Sequence, residues 1–117
     1  MPLPGGHYSQ AVEANALVFV SGILPSAAAV DALADGFDAQ CISVFDQAEK
    51  MLRAAGCGFG DVVQCTAFLV GVEHWAAFNA LYAGVFGQHK PARAVVPLPA
   101  LHFGNLIEVQ LVARKPA

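Results

Sequence analysis

The chain has 117 residues, of which 56% are apolar and only 13% charged, with six Lys+Arg, nine Asp+Glu and a formal net charge of −3. That length fits one domain of about 100–150 residues, expected here to span 1–117. The apolar excess excludes disorder, the scattered basic residues leave no footprint for nucleic acid, and no apolar run approaches the ~20 residues of a membrane span.

In chain order, the opening Pro2–Gly6 run is turn-rich, Tyr8–Ala14 reads as a first strand, and Ala16–Ser21 (ALVFVS), rich in β-branched and aromatic residues, as a second. Gly22 and Pro25 end it, and the small, polar stretch Ser26–Asp35 reads as a loop. Between Gly36 and Ala55 the apolar residues Phe37, Cys41, Val44, Phe45, Ala48, Leu52 and Ala55 recur at steps of three and four, which predicts one stripe on a helix. Gly56 supplies its left-handed stop. Asp61–Val70 reads as a strand with Val63, Cys65, Ala67 and Leu69 on one face. A second helix is expected over Glu73–Phe86, with Trp75, Phe78, Tyr82 and Phe86 on its stripe, and strands over Ala92–Val96 and Leu106–Ala113. The order ββ-α-β-α-ββ is α+β: two helices on one face of a mainly mixed or antiparallel sheet. The other face must find cover elsewhere, and an identical subunit is the simplest source. The low charge content, about half the usual ~25%, points the same way.

No Lys or Arg precedes Lys50, so no basic leader segment is expected. Cys41, Cys57 and Cys65 form no CxxC pair and read as reduced structural thiols of a cytoplasmic protein. His7, His74, His89 and His102 lack ligand spacing, so no metal is expected.

Two charges stand in apolar strands. Arg93, in PARAVV, is costly to bury unless paired; it is either a structural ion pair or edge residue, or a carboxylate clamp using its guanidinium fork. Glu108, in LIEVQLVA, shares a face with Gln110, opposite Ile107, Val109 and Leu111. A hairpin centred between Ala100 and Leu101 would set Arg93 and Glu108 opposite each other, about 4.5–5.5 Å apart at Cβ. The pair is then either a plain salt bridge or one cleft that holds an anion and activates water. Tyr8, Asn79 and His102 are weaker candidates, each with an ordinary packing or surface reading. No GxSxG, P-loop or GxGxxG motif is present.

GGHYSQAVEANALVFVSGILP (Gly5–Pro25), FNALYAGVFGQHKPARAVV (Phe78–Val96) and LIEVQLVA (Leu106–Ala113), in this order and spacing, resemble the RidA (YjgF-type) family, whose better-known members hydrolyse reactive enamines and imines. The resemblance covers essentially the whole chain, with a shortened connection after Pro25. It implies a chorismate mutase-like homotrimer with clefts at subunit interfaces and no cofactor. It also implies that Arg93 binds a substrate carboxylate, Glu108 positions water, Tyr8 and Gly22 line the pocket, and Asn79 lies nearby. The reaction implied is hydrolysis of a 2-imino acid to a 2-oxo acid and ammonia. One departure is Val95, where the family's deaminases carry cysteine two residues after the arginine; its backbone N–H can still donate to a carboxylate. Pro97–Phe103 (PLPALHF) also differs from the typical sequence, so His102 and Phe103 are candidates to shape the pocket. The alternatives are a deaminase of a larger catabolic enamine of the aminomuconate type, and a non-catalytic trimer that binds small carboxylates. An endoribonuclease ranks last, since the acidic balance gives RNA little to hold.

Overall fold

The computed structural model describes residues 6–26 and 36–116. Its strands are β1 (Ala11–Ala14), β2 (Leu17–Ile23), β3 (Val62–Val70), β4 (Ala92–Leu98) and β5 (Ile107–Arg114), and its helices α1 (Gly36–Ala54) and α2 (Trp75–Phe86). Short 3₁₀ turns occupy Phe59–Asp61 and His102–Gly104. The expected element order therefore holds, with the first strand beginning at Ala11 rather than Tyr8. The loop expected over Ser26–Asp35 lies, apart from Ser26, outside the described residues.

One mixed sheet runs β1-β2-β5-β3-β4. β1 and β2 form a hairpin across Asn15 and Ala16, both at positive φ (52° and 63°), the geometry whose twist matches paired strands. β5 lies antiparallel to both β2 and β3, whereas β4 pairs with β3 in parallel, with α2 as the crossover. The hairpin expected between the last two strands is therefore not formed. The chain from β4 passes over the end of β3 before it turns back as β5: Gly71 N–H donates to the Leu98 carbonyl and Val70 N–H to the Leu106 carbonyl, each at 3.0 Å. Alternation defines the faces of a strand but not its neighbour, and here β3 takes the place between the two.

Both helices lie on one face. The α1 stripe is buried as expected through Phe37, Cys41, Val44, Phe45, Ala48 and Leu52, and Gly56 adopts the left-handed turn beyond it (φ 81°). Against it α2 lays Phe78, Tyr82 and Phe86, and the rings of Phe45, Phe59, Tyr82 and Phe86 meet mostly edge to face or tilted, with the Tyr82–Phe86 centroids 4.5 Å apart. Trp75, expected on this stripe, is half exposed because the helix only begins there. In β3 a register shift between Val62 and Gln64 turns Val62 into the core and Val63 outward, reversing the expected assignment for Val63; Cys65, Ala67 and Leu69 face inward as expected. Among the described residues no helix covers the opposite face of the sheet, and Val12, Phe19 and Val63 lie exposed on the strands.

All three cysteines are buried. Burial, with Asp38 nearby, pushes the Cys41 thiol up to about 12, and burial likewise pushes Cys65 up to about 12 against the opposing pull of Tyr82 and Arg93. Thiolate is the reactive form, so at pH 8 the native protein is expected to react with an aromatic disulfide reagent far more slowly than a free thiol does. Unfolding in guanidinium should release all three groups; rapid native labelling of Cys41 or Cys65 would contradict this packing.

Candidate functional site

The alternation of β5 decides where Glu108 points. Ile107, Val109 and Leu111 are buried under the helices, so Glu108 and Gln110 face the open side of the sheet. There Glu108 lines a cleft of about 570 Å³ together with Tyr8, Ser21, Gly22, Leu24, His102 and Phe103. The register between β2 and β5 shifts between Val20 and Ile23, and this irregularity brings Gly22 against the carboxylate. A Cβ built on Gly22 would sit 2.6 Å from Glu108 Oε2 and 3.0 Å from its carboxyl carbon, so no side chain fits there while the carboxylate stays in place. Ser21 ties the segment that carries Tyr8 to the same spot: its Oγ donates to the Ser9 carbonyl at 2.6 Å, and its N–H donates to the Gln10 carbonyl at 2.9 Å.

Arg93 lies elsewhere. In β4 it is opposite Cys65, an inward-facing residue, so its side chain rises on the helix side of the sheet edge. Its Nη1 donates to Asn79 Oδ1 at 2.9 Å, and its Cζ sits 4.8 Å from the Tyr82 ring centroid and 5.9 Å from that of Phe78. A guanidinium stacked on aromatic faces is stabilised without losing its donors. Burial pushes the Tyr82 phenol up to about 12, so the ring under Arg93 stays neutral at ordinary pH. Among the described residues no carboxylate pairs with Arg93. Its fork opens on a cleft of about 400 Å³ whose lining includes Asn79, Tyr82, His89 and Lys90, with no acidic residue.

The expected juxtaposition of Arg93 and Glu108 within one chain is thus overturned. Glu108 lies opposite Phe68 of β3, not opposite Arg93, and the two charges occupy opposite faces of the sheet. The structure does bring Tyr8, Gly22 and Glu108 together in one cleft, and Asn79 and Arg93 in the other. Val95 packs opposite Ala67, partly buried against the core, and does not line the arginine cleft. His102 lines the glutamate cleft. Sequence reading missed Ser21 and the role of Tyr82. A serine at a strand end carries no distinguishing signal, and Tyr82 shows only as one member of a helical stripe. No group of three or more His, Cys, Asp or Glu that could hold a metal occurs among the described residues, and none of their helices is long and apolar enough to cross a membrane.

Comparison with known proteins covers the chain almost end to end. The family model described as Endoribonuclease L-PSP matches residues 1–115. A RutC family protein of Pyrococcus horikoshii is 34% identical over 115 residues, covering 97% of this chain and 91% of its own length. Protein HMF1 of Saccharomyces cerevisiae is 31% identical over 112 residues, or 96% and 87% of the two chains. The crystal structure of RidA from an Antarctic Psychrobacter superposes with a TM-score of 0.86 at 32% identity, covering 97% of this chain and 92% of that one.

Gly22→Ala is expected to swing the Glu108 carboxylate off its present position, since the added methyl would occupy the same space. A crystal structure of the variant checks this, and a carboxylate left in place beside the new methyl would contradict it.

Proposed function

The chain belongs to the Endoribonuclease L-PSP (YjgF/RidA/RutC) family, and from that premise we propose that it is a hydrolytic deaminase of reactive 2-imino acids and their enamine tautomers. The observation that carries the proposal is the division of the two functional charges between two clefts on opposite faces of the sheet. Arg93 has no carboxylate partner among the described residues and lies on an edge strand, whereas Glu108 faces the side of the sheet away from the helices. A second copy seated against that face with its β4 edge brings a partner's arginine to the glutamate cleft. A closed ring of three such heterologous contacts gives a homotrimer with a composite site at each interface.

In this reading Arg93, oriented by Asn79 and Tyr82, grips the substrate carboxylate, and the backbone N–H of Val95 is a further donor to it. Tyr8 and Gly22 shape the space around the reacting carbon. Glu108 accepts a proton from water as the water oxygen bonds to the imine carbon, while the C=N π electrons pass to nitrogen, which is protonated. The resulting carbinolamine takes the proton held by Glu108 onto its amino nitrogen and loses ammonia as its C–N bond breaks, while its hydroxyl gives a proton to solvent, replacing the one that solvent supplied to the imine nitrogen, to leave the 2-oxo acid. No cofactor is required, because the imine carbon is already electrophilic and catalysis consists of holding it beside an activated water. An RNA-cleaving function has less support: the chain carries six Lys+Arg against nine Asp+Glu.

The test is to generate 2-iminobutanoate and 2-iminopropanoate in situ and follow 2-oxo acid release above the spontaneous rate. Arg93→Ala is expected to lower kcat/KM by about 100-fold or more, since a charge-assisted carboxylate pair contributes roughly 1.5–3 kcal/mol and positioning adds to it. Glu108→Gln should lower kcat by about 100-fold or more with a much smaller change in KM. Subunits of the two inactive variants, mixed in equal amounts and reassembled, should recover activity at about a quarter of the sites, those pairing an intact arginine with an intact glutamate across an interface. A site contained in one subunit would stay silent in that mixture. Absence of acceleration with either imine would instead favour a non-catalytic binder of small carboxylates or a deaminase of a larger enamine.

A further inference from the structure

The connection between β4 and β5 is held more firmly than an exposed loop needs. Gln40 and Asn105 are the buried polar side chains among the described residues, and both serve this segment. Asn105 donates to the His102 carbonyl twice, from Nδ2 at 2.8 Å and from its backbone N–H at 3.2 Å. Gln40 Oε1 accepts from the Leu106 N–H at 2.7 Å, fixing the end of the loop to α1. These bonds hold Phe103 in the left-handed region (φ 61°, ψ 25°) with its ring 87% exposed. A bulky residue there is an outlier; such strain costs about 1–3 kcal/mol and persists only where the surroundings over-determine it. An exposed ring gains no burial in return. The ring nevertheless lines the Glu108 cleft, as do Leu24, Tyr8 and His102, and the His102 imidazole centroid is 5.9 Å from it.

We propose that Phe103 is a specificity-determining residue. Its ring is the apolar wall against which the side chain of the 2-imino acid packs, so the site favours imino acids with an aromatic or bulky aliphatic side chain over 2-iminobutanoate. This assignment rests on the deaminase reading above. Leu24 and the ring of Tyr8 continue the wall, while Glu108 and Gly22 mark the end where the imine carbon sits.

One amino-acid oxidase can supply both test substrates, the phenyl-bearing imine from phenylalanine and 2-iminobutanoate from 2-aminobutanoate. The readout is the ratio of their kcat/KM values in the wild-type protein, in Phe103→Gly and in Phe103→Leu. The wild type is expected to prefer the phenyl-bearing imine. Phe103→Gly should lower that ratio about tenfold or more, the range that a few apolar contacts command, and Phe103→Leu should fall between. Glycine relaxes the left-handed backbone, so the melting temperature of Phe103→Gly should rise rather than fall, which a purely structural ring would not allow. A ratio within twofold of wild type in both variants would overturn the assignment. So would loss of the oligomer by light scattering, which would place the ring in a subunit contact. A wild-type protein that accelerates neither imine would instead sink the deaminase reading itself, a different outcome from an unaltered ratio.

Discussion

A strand in the middle of a sheet that is covered on one side must send alternate side chains into the core and into the open. β5 occupies that position between β2 and β3, and its alternation is strict: Ile107, Val109, Leu111 and Ala113 go inward, and Glu108 and Gln110 go outward. The burial of the first set is the larger energy, on the order of 1.5–3 kcal/mol for each large aliphatic side chain, and it fixes the second set without any bond to Glu108 being needed. Slipping β5 by one residue would put the glutamate under the helices and the core residues in solvent. The Glu108 carboxylate is therefore placed by its neighbours' hydrophobicity.

Arg93 is placed by a different balance. It sits on an edge strand, where long side chains can reach water, and the rings of Tyr82 and Phe78 take up its flat face while Asn79 aligns one end of the fork. A paired arginine would have its donors occupied. This one is oriented but not neutralised, in a cleft without acidic lining, and such a group has electrostatic free energy to gain from an anion. Orientation by a neutral ring and an amide leaves that gain undiminished.

Much of this was legible in the chain itself. Apolar periodicity gave both helices, including all but one of the buried residues of α1, and the exception, Gln40, is buried because its amide anchors the loop before β5. The two charges in apolar strands drew attention to the residues that line both clefts. What periodicity could not supply was which strand lies beside which: β4 and β5 are consecutive in sequence yet separated by β3, because the connection between them is long enough to cross its end. The bulge in β3 escaped for a related reason, since an extra residue between Val62 and Gln64 breaks alternation without changing composition. The bond that positions Arg93 and the crowding at Gly22 are properties of three-dimensional neighbours 14 and 86 positions away in the chain.

The contact between Gly22 and Glu108 has a genetic consequence. Every single-base change of a glycine codon that yields another amino acid introduces a Cβ, and at this position the Cβ meets the carboxylate whatever the rest of the side chain is. Chemically mild and severe replacements are therefore equivalent in their first effect. Any replacement at Gly22 therefore displaces the Glu108 carboxylate first, which couples the fates of two residues that share no hydrogen bond.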